Sequence, residues 1–381
     1  MASSGPVPSK TPLSYLDLLN LCDNVHIPLP NQPQPDNLEG FDAEVLIPLY
    51  LTPLPSSPII GLLRPIILEQ LKFENARSRE LGLQEVWVIQ EVSEKEGGRT
   101  RLRVSFAEWV KGWEVRTQVM KELCERWRDG PESEYGFCKD VCGPRKWRGE
   151  MYPVYKDPFG VHDHPQQQEG KELGEGKEMN YAFEMERSAC ALFGIVTYGV
   201  HMSIYAERMN EEGMRSLSVW VPTRARTKQT FPGYLDNTVA GGIPSGMGMF
   251  ESMVKECMEE ASLPASIVEK YARAAGVISY FYRTSTGWLQ PEVEYVYGIA
   301  IPSDVDASIF EPKPLDGEVE SFEFMNQDKV TEKLRAGLFK PNCGIVLIDL
   351  FMRLGYITPD NEPNYMALAT RLRGRFRYSL W

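Results

Sequence analysis

Nowhere does the sequence approach the ~20 consecutive apolar residues that a membrane-spanning helix needs. Its 43% apolar and 25% charged content is that of a globular chain. Positive charge is scarce: 41 Lys and Arg against 53 Asp and Glu leave a formal net charge of −12. That balance argues against general binding to nucleic acid or to an anionic membrane. An acidic chain that handles phosphates must recruit cations. The opening MASSGPVPSKTP has no apolar core for a secretory signal and too little Arg for a transit peptide. A cytoplasmic protein is therefore expected, as a monomer or homodimer acting on a small molecule. Seven cysteines is an odd number, and the C-x3-C pair Cys138 and Cys142 has no second pair at zinc-ligand spacing. Reduced, buried thiols are expected rather than a disulfide framework or a zinc ribbon.

What is present divides the chain into two parts. At 381 residues there is room for two domains. Residues 1–12 read as disordered, and 13–162 as an α+β accessory domain. In it Ser14 stands as N-cap to a helix carrying Tyr15, Leu18, Leu19 and Cys22 at helical spacing. QEVWVIQEV (84–92) alternates as a strand, and Trp109, Trp113 and Trp127 lie on an amphipathic helix as core rather than as ligand platforms. Residues 163–180, rich in Gln, Glu, Gly and Lys, read as a flexible linker flanked by exposed His162 and His164. From 181 to 381 the pattern predicts a helix over 185–198, strands over 200–206 and 216–222, and strands over 276–283, 293–301 and 317–324. Helices follow over 330–338, 342–354 and 365–378. That order describes an α/β/α sandwich around a mixed sheet.

The chemistry centres on Ala240–Leu263. A glycine-rich loop from Gly241 to Gly246 permits tight turns and close backbone approach to a ligand. A helical pattern follows with Met249, Met253, Cys257 and Ala261 on one side. Glu256, Glu259 and Glu260 share the opposite face, where like charges repel by a few tenths of a kcal/mol per pair, roughly. Such a face is ordinarily solvated surface. A bound cation would relieve the repulsion, and oxygen-only ligands suit Mg²⁺, or Mn²⁺, rather than zinc. Just upstream, Arg224, Arg226 and Lys228 with Gln229 and Thr230 form a basic, hydrogen-bonding stretch suited to phosphoryl oxygens.

This loop and helix resemble the Nudix box, G-x5-E-x7-R-E-U-x-E-E-x-G-U. Gly241 takes its first position, Glu256 the Glu after the Arg, and Glu259 and Glu260 the pair. Met247, Lys255, Cys257 and Ser262 depart from it, and Glu251 stands one turn ahead of Lys255 as its candidate partner. The runs FGIVTYGVHMSIY, KQTFPGYLDNTVAGGI and QPEVEYVY are similar to one Nudix branch, which includes plant plastid Nudix hydrolases. That branch also resembles the N-terminal half of fungal thiamine pyrophosphokinase fusions, and the kinase half has no counterpart here.

The resemblance implies a Nudix α/β/α sandwich preceded by a smaller α+β accessory domain. It implies Mg²⁺-dependent hydrolysis of a diphosphate to a monophosphate, with thiamine diphosphate or its oxidised, damaged forms as substrates. Glu256, Glu259 and Glu260 would hold metal, and Glu259, Glu260 or an outlying Glu318 would serve water attack. His201, Arg224, Lys228, Gln229, Thr230, Gly241 and Gly242 are the candidate substrate contacts, and Trp288, Tyr280 or Tyr282 the candidates to stack on a ring. Other readings remain open. One is a hydrolase of nucleoside-diphosphate-linked substrates, and another a catalytically silent binding module. An isopentenyl-diphosphate isomerase would need a cysteine close ahead of the box, where the nearest is Cys190.

Overall fold

The computed structural model describes residues 5–25, 39–93, 100–168, 178–209, 213, 215–376 and 378. Parts of the expected disordered start (1–12) and linker (163–180) lie outside the described residues.

The chain opens with α1 (Tyr15–Cys22), closed at its start by a reciprocal cap. The Asp17 amide donates to Ser14 Oγ at 3.1 Å, and the Ser14 amide donates to Asp17 Oδ2 at 2.9 Å. A four-stranded sheet follows, built from β1 (Ile47–Tyr50), β2 (Ile59–Leu63), β3 (Trp87–Ser93) and β4 (Thr100–Phe106) in the order β2-β1-β4-β3. Two long helices belong to this region. One is α2 (Pro65–Glu80), with Pro65 in its first turn, and the other is α3 (Gly112–Asp129). Short helices α4 (Glu132–Tyr135) and α5 (Lys139–Cys142) lead to β5 (Met151–Tyr155), which pairs antiparallel with β6 (Tyr181–Glu186). The indoles do form core here: Trp127 stacks on Phe193 at 5.6 Å, and Trp87 on Phe106 at 4.9 Å. The buried Trp127 indole donates to Glu74 at 2.8 Å, so that carboxylate is satisfied inside. Trp109 differs: it sits ahead of α3 and is 40% exposed.

The larger sheet has six strands. Its members are β7 (Thr197–Met209), β8 (Arg215–Arg224), β9 (Val239–Gly242), β10 (Arg273–Arg283), β11 (Leu289–Ala300) and β12 (Val319–Asn326). The order is β10-β11-β7-β8-β12, with β9 paired to β7, and it is mixed because β11 and β7 run parallel. Alternation along β7 sends Val200, Met202 and Ile204 to one face, where Met253, Cys257 and Ala261 of α6 (Met249–Ala261) and Val268 of α7 (Ala265–Tyr271) cover them. The other face is covered by α1, α8 (Gln327–Arg335), α9 (Pro341–Arg353) and α10 (Tyr365–Arg371), through Leu19, Val330, Leu347 and Leu368. This is the expected α/β/α sandwich.

Three expectations fail. Residues 185–198 are not a helix: 181–186 pair with β5, and a 3-10 turn over Arg187–Leu192 leads into β7. Strand pairing overrides the helix propensity of that Ala- and Leu-containing run. The last helix ends at Arg371. His162 is walled in by Tyr155, Tyr198 and Tyr295, and His164 is only 6% exposed, so neither is a solvated loop histidine. Among the described residues no helix is long and apolar enough to cross a membrane.

Candidate active site

The glycine strand and the carboxylate helix meet where the pattern requires it. A Cβ on Gly241 would lie 2.2 Å from the Glu256 carboxyl carbon, so only glycine lets α6 pack this close to β9. At Gly242 a Cβ would sit 1.5 Å from the hydroxyl of Tyr152, a residue of β5. The Ala240 amide donates to Glu260 Oε2 at 3.2 Å.

Of the three box carboxylates, two turn inward. Glu260 is 8% exposed, and burial, helped by Asp236 and Glu256, pushes its carboxyl up to about 8. Burial also raises Glu256. Glu259 turns away: it is half-exposed and pairs with Lys255 at 3.0 Å. Lys255 also lies 3.5 Å from Glu256, while Glu251 caps α6 through the Gly248 amide instead of pairing with Lys255. Glu318 comes in from the approach to β12, bonded to Lys228 and facing Glu260. Burial would raise its carboxyl, but the Lys228 ammonium outweighs that and holds it low. Glu256, Glu260, Glu318 and Lys228 thus form one charged cluster.

Among the described residues no three His, Cys, Asp or Glu side chains converge closely enough to hold a metal ion. The chemistry of Glu256, Glu260 and Glu318 nevertheless fits a hard divalent cation. All donors are oxygen, and Glu260 is a buried carboxyl held toward its protonated form for want of compensating positive charge.

The candidate substrate contacts separate into two groups. Arg224 is structural: it is 8% exposed, pairs with Asp236 at 2.5 Å and donates to the Phe231 and Thr230 carbonyls at 3.1 Å, tying the 224–236 loop together. His201 is buried on the α9 side, its Nδ1 2.7 Å from Asn237 Oδ1 and its Nε2 3.5 Å from Glu294. Burial opposes its imidazolium, but Glu294 prevails and holds the ring well above the usual histidine range. Gln229, Thr230, Gly241 and Gly242, with an edge of His201, line a cleft of about 490 Å³. Glu256 and Glu260 do not line it; the Ala240–Gly242 backbone they touch does.

Several cleft residues escaped sequence reasoning. Arg148, Tyr152 and Arg187 reach it from outside the sandwich, and Glu292, Gln290 and Lys340 from within. Arg187 lies over the Tyr152 ring at 5.0 Å and pairs with Glu150 at 2.8 Å. Nothing local marks these positions: the pairing of β5 with β6 brings in Arg148, Tyr152 and Arg187, while Gln290 and Glu292 come from β11 and Lys340 from the start of α9. Trp288, Tyr280 and Tyr282 also line the cleft, although Trp288 and Tyr280 are each 3% exposed.

The model of the NUDIX domain matches residues 199–342, which span β7 to the start of α9. Those residues are a Nudix domain. The chain is 36% identical over 250 residues to the "Uncharacterized protein YJR142W" of Saccharomyces cerevisiae, covering 62% of this chain and 64% of that one. It is 39% identical over 194 residues to "Nudix hydrolase 20, chloroplastic" of Arabidopsis thaliana, covering 51% of this chain and 48% of the plant protein. The chain thus spans about half to two thirds of the length of these relatives. A solved C. elegans Ap4A hydrolase covers 42% of this chain and 99% of its own at 11% identity, with a TM-score of 0.30. That score is too low to argue from. The Nudix domain therefore rests on the sequence match and on the sandwich itself, with the glycine strand laid against Glu256 and Glu260.

Proposed function

We propose that the Nudix domain hydrolyses a diphosphate to a monophosphate and phosphate, acting on thiamine diphosphate or its oxidised forms. The observation that carries the reaction is the inward-turned carboxylate pair, half-buried Glu256 and buried Glu260, held against the glycine strand that lines the cleft. A cleft of about 490 Å³ has room for a diphosphate with one heterocyclic group.

Glu256 and Glu260, with Glu318 from outside the box, would hold Mg²⁺ or Mn²⁺. The cation would supply charge against the diphosphate oxygens and make a bound water more acidic. The protein's own contributions are distinct. The Gly241–Gly242 backbone lines the cleft and would present its polar groups to the diphosphate. Lys228, now bonded to Glu318 outside the cleft lining, would offer its ammonium to phosphoryl oxygens, and Arg187 offers a guanidinium beside Gly242. Glu260, once the cation has displaced the proton its buried carboxyl holds, would be suited to accept one from the attacking water. Glu259, paired with Lys255, supports the helix rather than the reaction.

The substrate choice rests on the resemblance of the KQTFPGYLDNTVAGGI run and its neighbours to the thiamine-linked branch. A catalytically silent binding module is the second reading, favoured by Lys228 bonded to Glu318 where a third metal ligand is needed. Phosphate release with Mg²⁺ decides between them, comparing thiamine diphosphate, its oxidised analogues, ADP-ribose and coenzyme A. Turnover of the thiamine-type substrates, with a loss of ~100-fold or more in Glu260→Gln, is the expected result. Preference for ADP-ribose or coenzyme A would overturn the substrate, and binding without turnover would overturn the catalysis.

A further inference from the structure

The cleft holds a second polar cluster that the proposed hydrolysis does not use. Glu292 and Glu294 stand two residues apart on β11 and so share one face of the sheet, and Tyr280 pairs with Glu292 from β10. The Tyr280 hydroxyl bonds to Glu292 and lies 2.8 Å from Glu294 Oε1. Asn342 donates to the Tyr280 oxygen at 3.0 Å. One hydroxyl proton cannot serve two carboxylates, and the two acids are not equivalent. Glu294 is 4% exposed, faces His201 and is held low despite burial. Glu292 is more open to the cleft, and its Oε1 has a single long contact, 3.4 Å to Thr197 Oγ1. Burial, then Glu294, pushes the Glu292 carboxyl up to about 7.

A second, independent observation, beside Gly242, marks the same cleft as built for a ligand. The Tyr152 hydroxyl lines the cleft, belongs to a residue only 2% exposed, and has no hydrogen-bond partner. A buried hydroxyl without a partner is destabilising unless something completes it. The aromatic rings of Tyr282 and Trp288 flank this carboxylate end of the cleft.

We propose that Glu292 is a specificity-determining residue that binds the N–H edge of a nitrogen heterocycle attached to the diphosphate. The inference rests on the reading that the diphosphate lies along Gly241–Gly242. It deepens that reading by naming the chemistry of the organic group: a flat ring presenting an amino or ring N–H donor. An alkyl diphosphate offers Glu292 nothing and leaves its Oε1 with only the long Thr197 contact. Tyr280 and Asn342 act as positioning residues that hold Glu292 in place.

The test separates this inference from the hydrolysis. Dissociation constants are measured on the whole chain for thiamine monophosphate, AMP and isopentenyl monophosphate, which bind without needing turnover. The same set is run on Glu292→Gln, with Tyr280→Phe as a second variant and circular dichroism as the check on folding. The wild type is expected to prefer an amino-bearing ligand over the isopentenyl one. Glu292→Gln should collapse that preference by about tenfold to a hundredfold, the effect of losing a hydrogen bond to a charged group. Equal weakening for all three ligands, or an unchanged preference, overturns the proposal. If Glu292→Gln does not fold, removing the ring amino group from thiamine monophosphate tests the same contact on the wild type. An analogue that binds as tightly as its parent then overturns it. Loss of preference with AMP alone would keep the role of Glu292 and sink the thiamine reading, whereas phosphate release from thiamine diphosphate tests hydrolysis separately.

Discussion

Glu260 concentrates the electrostatics of the site in one side chain. Its carboxyl is pushed up to about 8 by burial, then by Asp236 and Glu256. A cation and a proton therefore compete for it. Below that pH the cation must displace the proton, so apparent Mg²⁺ affinity should fall by about tenfold per pH unit and level off above it. Calorimetry at pH 7 in buffers of different protonation enthalpy should show about one proton released per Mg²⁺ bound. Glu260→Gln should remove both the release and the slope. Glu259 provides the contrast. Being half-exposed and paired with Lys255, its change to Gln should alter turnover by less than about tenfold, a surface ion pair being worth ~0–1 kcal/mol. A loss as large as that of Glu260→Gln would return Glu259 to the metal set.

At the scale of elements, the end of α6 explains one departure from the Nudix pattern. Ser262 stands where that pattern has Gly, and its backbone adopts φ 55°, the left-handed region that favours glycine. Its hydroxyl offsets part of the strain by donating to the Lys313 carbonyl at 2.9 Å. A side chain in this conformation costs ~1–2 kcal/mol, and the exposed hydrogen bond returns about half of that. Ser262→Gly should therefore stabilise the protein by roughly 0.5–1 kcal/mol, read as a higher urea midpoint with an unchanged slope. A lower midpoint would mean that the hydroxyl contact dominates.

This helix also shows why some elements are legible in sequence and others are not. Met253, Cys257 and Ala261 recur at helical spacing, and the structure buries all three on β7. Five strands of the large sheet alternate clearly enough to be read within a few residues of their observed bounds, whereas β9, whose glycines read as a loop, does not. Residues 185–198 mislead because their fate depends on pairing with β5, some 30 residues earlier, which local propensity cannot register. The site follows the same rule. Gly241, Glu256 and Glu260 are adjacent through one loop and one helix, so their spacing reveals them. Tyr152, Arg187 and Glu292 reach the cleft from separate strands and turns, and no spacing connects them.

At the scale of the molecule, the accessory region and the sandwich are not joined by a simple tether. The strand β6 pairs with β5, and the turn after it carries Phe193 into the stack with Trp127 before the chain enters β7. In the other direction α1, at the start of the chain, packs beside α9 and α10. Both cores therefore share their connecting segments, and Tyr152 and Arg187 bring accessory-side groups to the cleft. Such sharing makes the two parts unfold together. Phe193→Ala should cost ~3–5 kcal/mol, because the ring is fully buried and its neighbours cannot close the cavity. Calorimetry should then show one transition, shifted down by roughly 5–15 °C as a whole. The Nudix domain reports on the same event: protection of its β7 amides against hydrogen exchange should fall along with that of β4. Two transitions, with only the accessory one displaced, would mean that the cleft is formed by parts that fold independently. In that case Tyr152 and Arg187 would leave the glycine strand whenever the accessory core opened, and substrate binding should weaken at a temperature below that of the main unfolding.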